Sequence, residues 1–183
     1  MKRALLVIDV QNEYFTGKIP VTYPEGSLGN IVTAIEEADK NGIPVFIIQH
    51  TAGKTDPTFA KGSKTWEVHP DVLSKPHKYL LEKNYPGSFT GTDLDRLLKE
   101  EGADTVVISG YMTQMCCDTT ARQAFHMGYK VEFLSDATGT LDFSNNAGKV
   151  SAEQLHNAIL VTQASVFSKV MSTGDWIKQL SND

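Results

Sequence analysis

The residues best suited to chemistry are a thiol, a carboxylate and an amine, each at the end of an apolar run. Cys116 follows Thr105-Val106-Val107-Ile108 and Ser109-Gly110, and it lies at the start of an amphipathic stretch from Met115 to Met127. A thiol where a strand gives way to a helix faces unpaired N–H groups and the positive end of the helix dipole, which favour thiolate. The same N–H groups suit a developing oxyanion. The competing reading is a small buried core cysteine. Cys117 points ~100° further round the helix and reads as packing. Asp9 ends the run Ala4 to Ile8; it is either a catalytic carboxylate at the sheet edge or a turn residue bonded to nearby backbone. Lys83 follows a weaker strand candidate, Lys78 to Glu82, where a solvated surface lysine is the ordinary alternative.

The histidines at 50, 69, 77, 126 and 156 show neither H-x-x-x-H nor H-E-x-x-H spacing. His126 and His156 fall in helical stretches. His50 and His69 flank a long irregular segment and can reach a pocket, but two imidazoles without a third ligand make a poor zinc site. There is no G-x-G-x-x-G, P-loop or G-x-S-x-G pattern, so neither nucleotide binding nor a serine elbow has support. The two cysteines are adjacent, with Cα atoms ~3.8 Å apart. That spacing disfavours a disulfide and does not match a C-x-x-C redox pair.

Short β-branched runs must position these groups: Ala4–Ile8, Pro44–Ile48, Thr105–Ile108 and Lys130–Leu134, with Val166-Phe167 as a possible start of the last. Being apolar on both parities, they read as strands covered on both faces. Amphipathic stretches alternate with them. Leu28–Asn41 stops at Gly42, and Asp93–Glu100 stops at Gly102. Ser151–Ala164 opens with a capping-box pattern, Ser151 to Gln154, and Asp175–Leu180 closes the chain. This alternation predicts right-handed βαβ units and a mostly parallel sheet. The segment Thr51–His77 follows a strand's C-terminal end, where open α/β sheets bind ligands, and a loop that long is commonly functional.

At 183 residues, against about 150 for a common domain, the chain is read as one domain over 1–183. Seventeen basic and 22 acidic residues give a net charge of −5, which argues against nucleic acid and polybasic membrane partners. No apolar run reaches the ~18 residues of a membrane span. Met1-Lys2-Arg3 followed by Ala4 to Ile8 has the look of a leader, but Asp9 interrupts it. A reduced, soluble, cytoplasmic single domain is the expectation.

Taken together, the motifs resemble the isochorismatase-like cysteine hydrolase superfamily, which includes nicotinamidases and N-carbamoylsarcosine amidases. The resemblance rests on D-x-Q-N at Asp9 to Asn12, on Glu82-Lys83 ahead of Ser88-Phe89, and on G-x-x-T-x-x-C-x-x-x-T-A-R from Gly110 to Arg122. It extends over nearly the whole chain. It implies a three-layer α/β/α fold with a six-stranded, mostly parallel sheet in the order 3-2-1-4-5-6. The implied triad is Asp9, Lys83 and Cys116, and the implied oxyanion hole is the N–H groups of Met112 and Cys116, after a cis peptide between Tyr111 and Met112. Tyr14, Trp66, Tyr85 and Tyr111 are the expected substrate contacts. No cofactor is implied. Metal-dependent nicotinamidases carry D-x-H after the second strand, whereas here it reads Gln49-His50-Thr51 and only His69 matches a ligand position. True isochorismatases act without a cysteine nucleophile. The expected reaction is therefore metal-free hydrolysis of a C–N bond in a small amide, carbamoyl or lactam-like compound. The alternatives are a nicotinamidase with an altered metal site at His50 and His69, or a non-catalytic scaffold that keeps the fold. Relatives suggest a homo-oligomer, dimer or tetramer.

Overall fold

The computed structural model describes residues 1–182. The first apolar run forms β1 (Arg3–Ile8), followed by α1 (Ser27–Lys40), β2 (Val45–His50), the short α2 (Pro70–Leu73) and β3 (Tyr79–Lys83). Then come α3 (Leu94–Glu100), β4 (Thr105–Tyr111), a π-helical turn (Thr113–Cys117) continuous with α4 (Asp118–His126), and β5 (Lys130–Gly139). A small antiparallel hairpin, β6 (Phe143–Asn145) and β7 (Gly148–Val150), precedes α5 (Ala152–Thr162). The last elements are β8 (Lys169–Met171) and α6 (Thr173–Leu180).

Six strands make one all-parallel sheet in the order β3-β2-β1-β4-β5-β8. This is the expected 3-2-1-4-5-6 order, counted over the sheet strands alone. Strand alternation divides the central residues between two apolar layers. Leu5, Val7, Ile47 and Val107 pack with Ile31, Ala34 and Ile35 of α1 and Trp176 of α6. Leu6, Ile8, Ile48 and Ile108 pack with Leu94 and Leu98 of α3 and Ala121 and Ala124 of α4. Covering both faces is what makes the strands apolar on both parities.

Three boundaries differ from the sequence reading. Val166 and Phe167 do not begin a strand; they close a second π-helical turn, Gln163–Phe167, that prolongs α5. Phe167 stacks beneath the Arg122 guanidinium, 4.3 Å from its ring centre, and the strand starts at Lys169. β5 runs past Ser135-Asp136 to Gly139, because a register shift between Ile108 and Gly110 absorbs the irregularity. The β6–β7 hairpin carries no apolar run to reveal it. The Ser151 cap is as expected: its Oγ accepts from the Gln154 N–H at 3.2 Å.

The segment from Thr51 to His77 is ordered by backbone pairing with the residues after β1. Asn12 N–H donates to Glu67 O, Glu13 N–H to Thr65 O, and His69 N–H to Val10 O. Gln11 fastens the arrangement. Its Nε2 donates to His50 O at 2.9 Å and Trp66 O at 2.7 Å, and its Oε1 accepts from His50 N–H at 2.8 Å. Among the described residues, no helix is long and apolar enough to cross a membrane.

Candidate active site

β1 and β4 are neighbours at the centre of the sheet, and the chain leaves them in opposite lateral directions. This is the crevice where open α/β sheets place ligands. Asp9 follows β1 there, and Cys116 sits in the π-helical turn after β4. Lys83 is the last residue of β3, in register with His50 at the end of β2. In a parallel pair those two side chains share a face, and their parity sets them on the α3–α4 side, the layer that contains Cys116.

Asp9 should alternate to the opposite face with Leu5 and Val7. It does not, because its backbone turns to φ 53°, a left-handed conformation that Asp tolerates better than most residues. The strand ends in that turn, with Asp9 N–H bonded to Ile48 O at 2.8 Å, and the carboxylate swings toward Lys83. Gly110 makes the close approach possible on the other side. Its φ is 110°, and a Cβ there would collide with the backbone of Ile8. Any side chain at 110 would push β4 away from β1 and open the site.

The result is a buried polar cluster. Lys83 Nζ donates to Asp9 Oδ2 at 2.7 Å and to Cys116 Sγ at 3.3 Å, and lies 3.3 Å from His50 Nδ1. The side chains of Lys83 and Asp9 are both 0% exposed. Asp9 Oδ1 is buried with no hydrogen-bond partner. A buried carboxylate oxygen calls for a partner, and the hydrogen bond to Asp9 that helps to raise the Cys116 pKa points to the thiol.

Electrostatics set the protonation states. Burial disfavours the Lys83 ammonium, but Asp9 and Cys116 together outweigh it and hold its pKa above the ordinary lysine value. The Cys116 thiol is pushed well up, first by burial and next by the negative charge of Asp9, with Lys83 opposing. This corrects the expectation of a lowered thiol pKa. The π-helical turn leaves the sulfur buried rather than solvated, a setting that favours the protonated thiol. Burial lowers His50, with Asp9 raising it and Lys83 lowering it further.

The peptide between Tyr111 and Met112 is cis. The anticipated aromatic contacts separate into two groups. Tyr14 is buried, and its hydroxyl pKa is raised by burial and then by the charges of Asp9 and Cys116, which places it beside the cluster. Trp66 is half-buried. Its Nε1 donates to Thr51 Oγ1 at 2.9 Å, and its carbonyl accepts from both Gln11 and Gln49. Tyr85 is 59% exposed on the loop after β3, outside the buried cluster. Tyr111 is not brought to the cluster at all. It alternates into the α1 layer, where its ring packs on Tyr14 and Phe15 and its hydroxyl bonds Ser27 Oγ at 2.9 Å. Burial pushes its pKa up to about 12.

The two histidines do not form a metal cage. His50 Nδ1 already faces the Lys83 ammonium, and His69 packs on Phe15, with its Nδ1 accepting from the Asp71 N–H at 3.3 Å. Among the described residues no group of three His, Cys, Asp or Glu could hold a metal ion.

Several positioning residues escaped the sequence reading. Ser88 N–H donates to Thr120 Oγ1 at 3.0 Å, and Thr120 Oγ1 donates to Ser88 Oγ at 2.9 Å. This ties the loop after Lys83 to the helix after Cys116. Thr113 Oγ1 lies 2.8 Å from His156 Nδ1, joining the π-helical turn to α5. Gln11, Ser88, Thr113 and Thr120 all lie within the motifs, which signalled the positions without stating their contacts.

Comparison with known proteins agrees with this architecture. The Isochorismatase domain matches residues 3–175. The chain is 35% identical to the isochorismatase-family protein YddQ of Bacillus subtilis, over 97% of its own length and 100% of YddQ. It is 31% identical to Nicotinamidase 3 of Arabidopsis thaliana, over 90% of its length and 82% of that protein. Among solved structures, a protein described as an isochorismatase from Burkholderia xenovorans superposes with a TM-score of 0.97 at 44% identity, covering 99% of this chain and 88% of that one. With the family match extending from β1 into α6, the chain belongs to the isochorismatase family and is a hydrolase of that family.

Proposed function

We propose that this hydrolase cleaves the C–N bond of a small amide, carbamoyl or lactam-like substrate through a thioester on Cys116. One observation carries the reading. Lys83 bridges Asp9 Oδ2 and Cys116 Sγ, while the second oxygen of Asp9 is buried and unpartnered. A nucleophile, its base and a cation that stabilises the developing thiolate thus meet in one desolvated cluster. The nicotinamidase among the relatives, an amide hydrolase by name, supports a C–N bond as the target.

The resting thiol must lose its proton as it attacks. Asp9 Oδ1 is the free acceptor for it, and the Lys83 ammonium offsets the negative charge forming on sulfur. The carbonyl oxygen becomes an oxyanion, assigned here to the N–H groups of Met112 and Cys116. Collapse expels the amine, which takes the proton back from Asp9, and a water activated by the same carboxylate then hydrolyses the thioester. Tyr14 and Trp66 would wall the substrate, and Tyr85 would contribute from the loop rim. Tyr111, packed against Tyr14, would act behind that wall rather than at the cluster. A nicotinamidase with a metal on His50 and His69 finds no third His, Cys, Asp or Glu ligand grouped with them among the described residues.

Steady-state assays over a panel of amides, carbamoyl compounds and lactams, with Cys116→Ala as control, test the reading. Turnover of at least one class, lost in the variant, is the expected result. A Cys116→Ala variant with unimpaired turnover would remove the nucleophile from the mechanism.

A further inference from the structure

We propose that His50 is a positioning residue that keeps the base open by occupying the third N–H of Lys83. This assignment rests on the cysteine-hydrolase reading above and adds a member to its machinery. An ammonium carries three donors and no acceptor. Buried without exposure, Lys83 has three partners: Asp9 Oδ2, Cys116 Sγ and His50 Nδ1. Because Lys83 can only donate, His50 Nδ1 must accept. The imidazole is thereby fixed neutral, with its proton on Nε2. That Nε2 has no hydrogen-bond partner among the described residues and is not sealed from solvent.

Without an acceptor at position 50, the freed N–H of Lys83 has one obvious destination, the unpartnered Oδ1 of Asp9. A lysine held by both carboxylate oxygens would move away from Cys116 and cover the oxygen that must receive the thiol proton. His50 is itself firmly placed. Gln11 clamps its backbone on both sides, and its ring meets Phe59 edge-on at 5.2 Å. The charged groups facing the imidazole are Asp9 from the end of β1 and Lys83 from β3. The sequence reading offered His50 as a candidate metal ligand; here it is an acceptor for an ammonium.

The test has two arms. Nitrogen NMR on protein labelled in histidine, with His50→Gln to identify the missing signal, reads the tautomer directly. A neutral Nε2–H tautomer at pH 7 supports the assignment, whereas an Nδ1–H tautomer or an imidazolium overturns it. This arm needs neither substrate nor turnover, so it separates failure of the His50 assignment from failure of the hydrolase mechanism. The second arm follows alkylation of Cys116 by iodoacetamide, mapped by tandem mass spectrometry. His50→Leu should react about tenfold more slowly, the effect of a one-unit rise in thiol pKa, while His50→Gln, which keeps an acceptor, should stay close to wild type. Equal rates for His50→Leu and wild type would overturn the proposal.

Discussion

Two buried ion pairs sit at opposite ends of the same sheet, and they are built to different standards. At the N-terminal end, Arg3 Nε and Nη2 hold the two oxygens of Glu132 at 2.9 and 3.1 Å. Trp176 Nε1 adds a bond to Oε2 at 2.9 Å, and Gln179 Nε2 one to Oε1 at 2.7 Å. Each carboxylate oxygen thus has two donors. At the C-terminal end, Lys83 holds one oxygen of Asp9 and leaves the other bare. The planar fork of arginine suits the first pair and the single point charge of lysine the second. A saturated buried pair fixes structure, because breaking it strands a charge. An unsaturated one leaves an oxygen for chemistry. The two pairs should therefore respond oppositely to mutation, one losing stability and the other activity.

The largest expected effect is at the unsaturated end. Asp9→Asn cannot take up the thiol proton, and turnover should fall by about 10³-fold, within the range for loss of a general base. Retention of near wild-type kcat would place the base elsewhere. At the saturated end, Glu132→Gln removes the carboxylate charge to which Arg3, Trp176 and Gln179 all donate. Urea denaturation should show a loss of about 3 kcal/mol, with kcat/KM of the folded protein within about twofold of wild type. Unchanged stability would erase the distinction between the pairs.

Much of this contrast was legible in the sequence. Apolar runs on both parities gave away a covered parallel sheet, and the first run stopped at Asp9, where the strand ends beside Lys83. Three motifs identified Asp9, Lys83 and Cys116 as a set. What was not legible depends on groups distant in sequence. Glu132 acquires its four donors from residues before and well after it, and no local spacing announces them. His50 could not be distinguished from a metal ligand until β2 and β3 were in register. The thiol pKa was misread because position at a helix start says nothing about burial or a neighbouring carboxylate. The packing of Tyr111 was not legible either, because the parity of β4 sends its ring into the α1 layer against Tyr14.

The packing of Tyr111 yields a smaller prediction. Tyr111→Phe removes the bond to Ser27 and should cost about 1 kcal/mol of stability, leaving KM unchanged. A raised KM would return Tyr111 to the substrate pocket.

The alkaline limb of stability sharpens the account further. Lys83 has a raised pKa in the folded protein, so its contribution to stability is fully present below the ordinary lysine value of 10.5. It is lost only as pH rises through the raised folded value. Thermal unfolding followed above pH 10 should show a drop in Tm that is smaller in Lys83→Met. The same slope in both proteins would mean that the ammonium is not held by Asp9 and Cys116.

The central claim is that Cys116 forms a covalent bond to the acyl part of the substrate. Its most direct test is mass spectrometry of the wild-type protein acid-quenched during turnover of a hydrolysed amide. The account predicts an added acyl mass on the peptide containing Cys116, located to that sulfur, which disappears as substrate is exhausted. Turnover that persists in Cys116→Ala, or an adduct on any other residue, would contradict it.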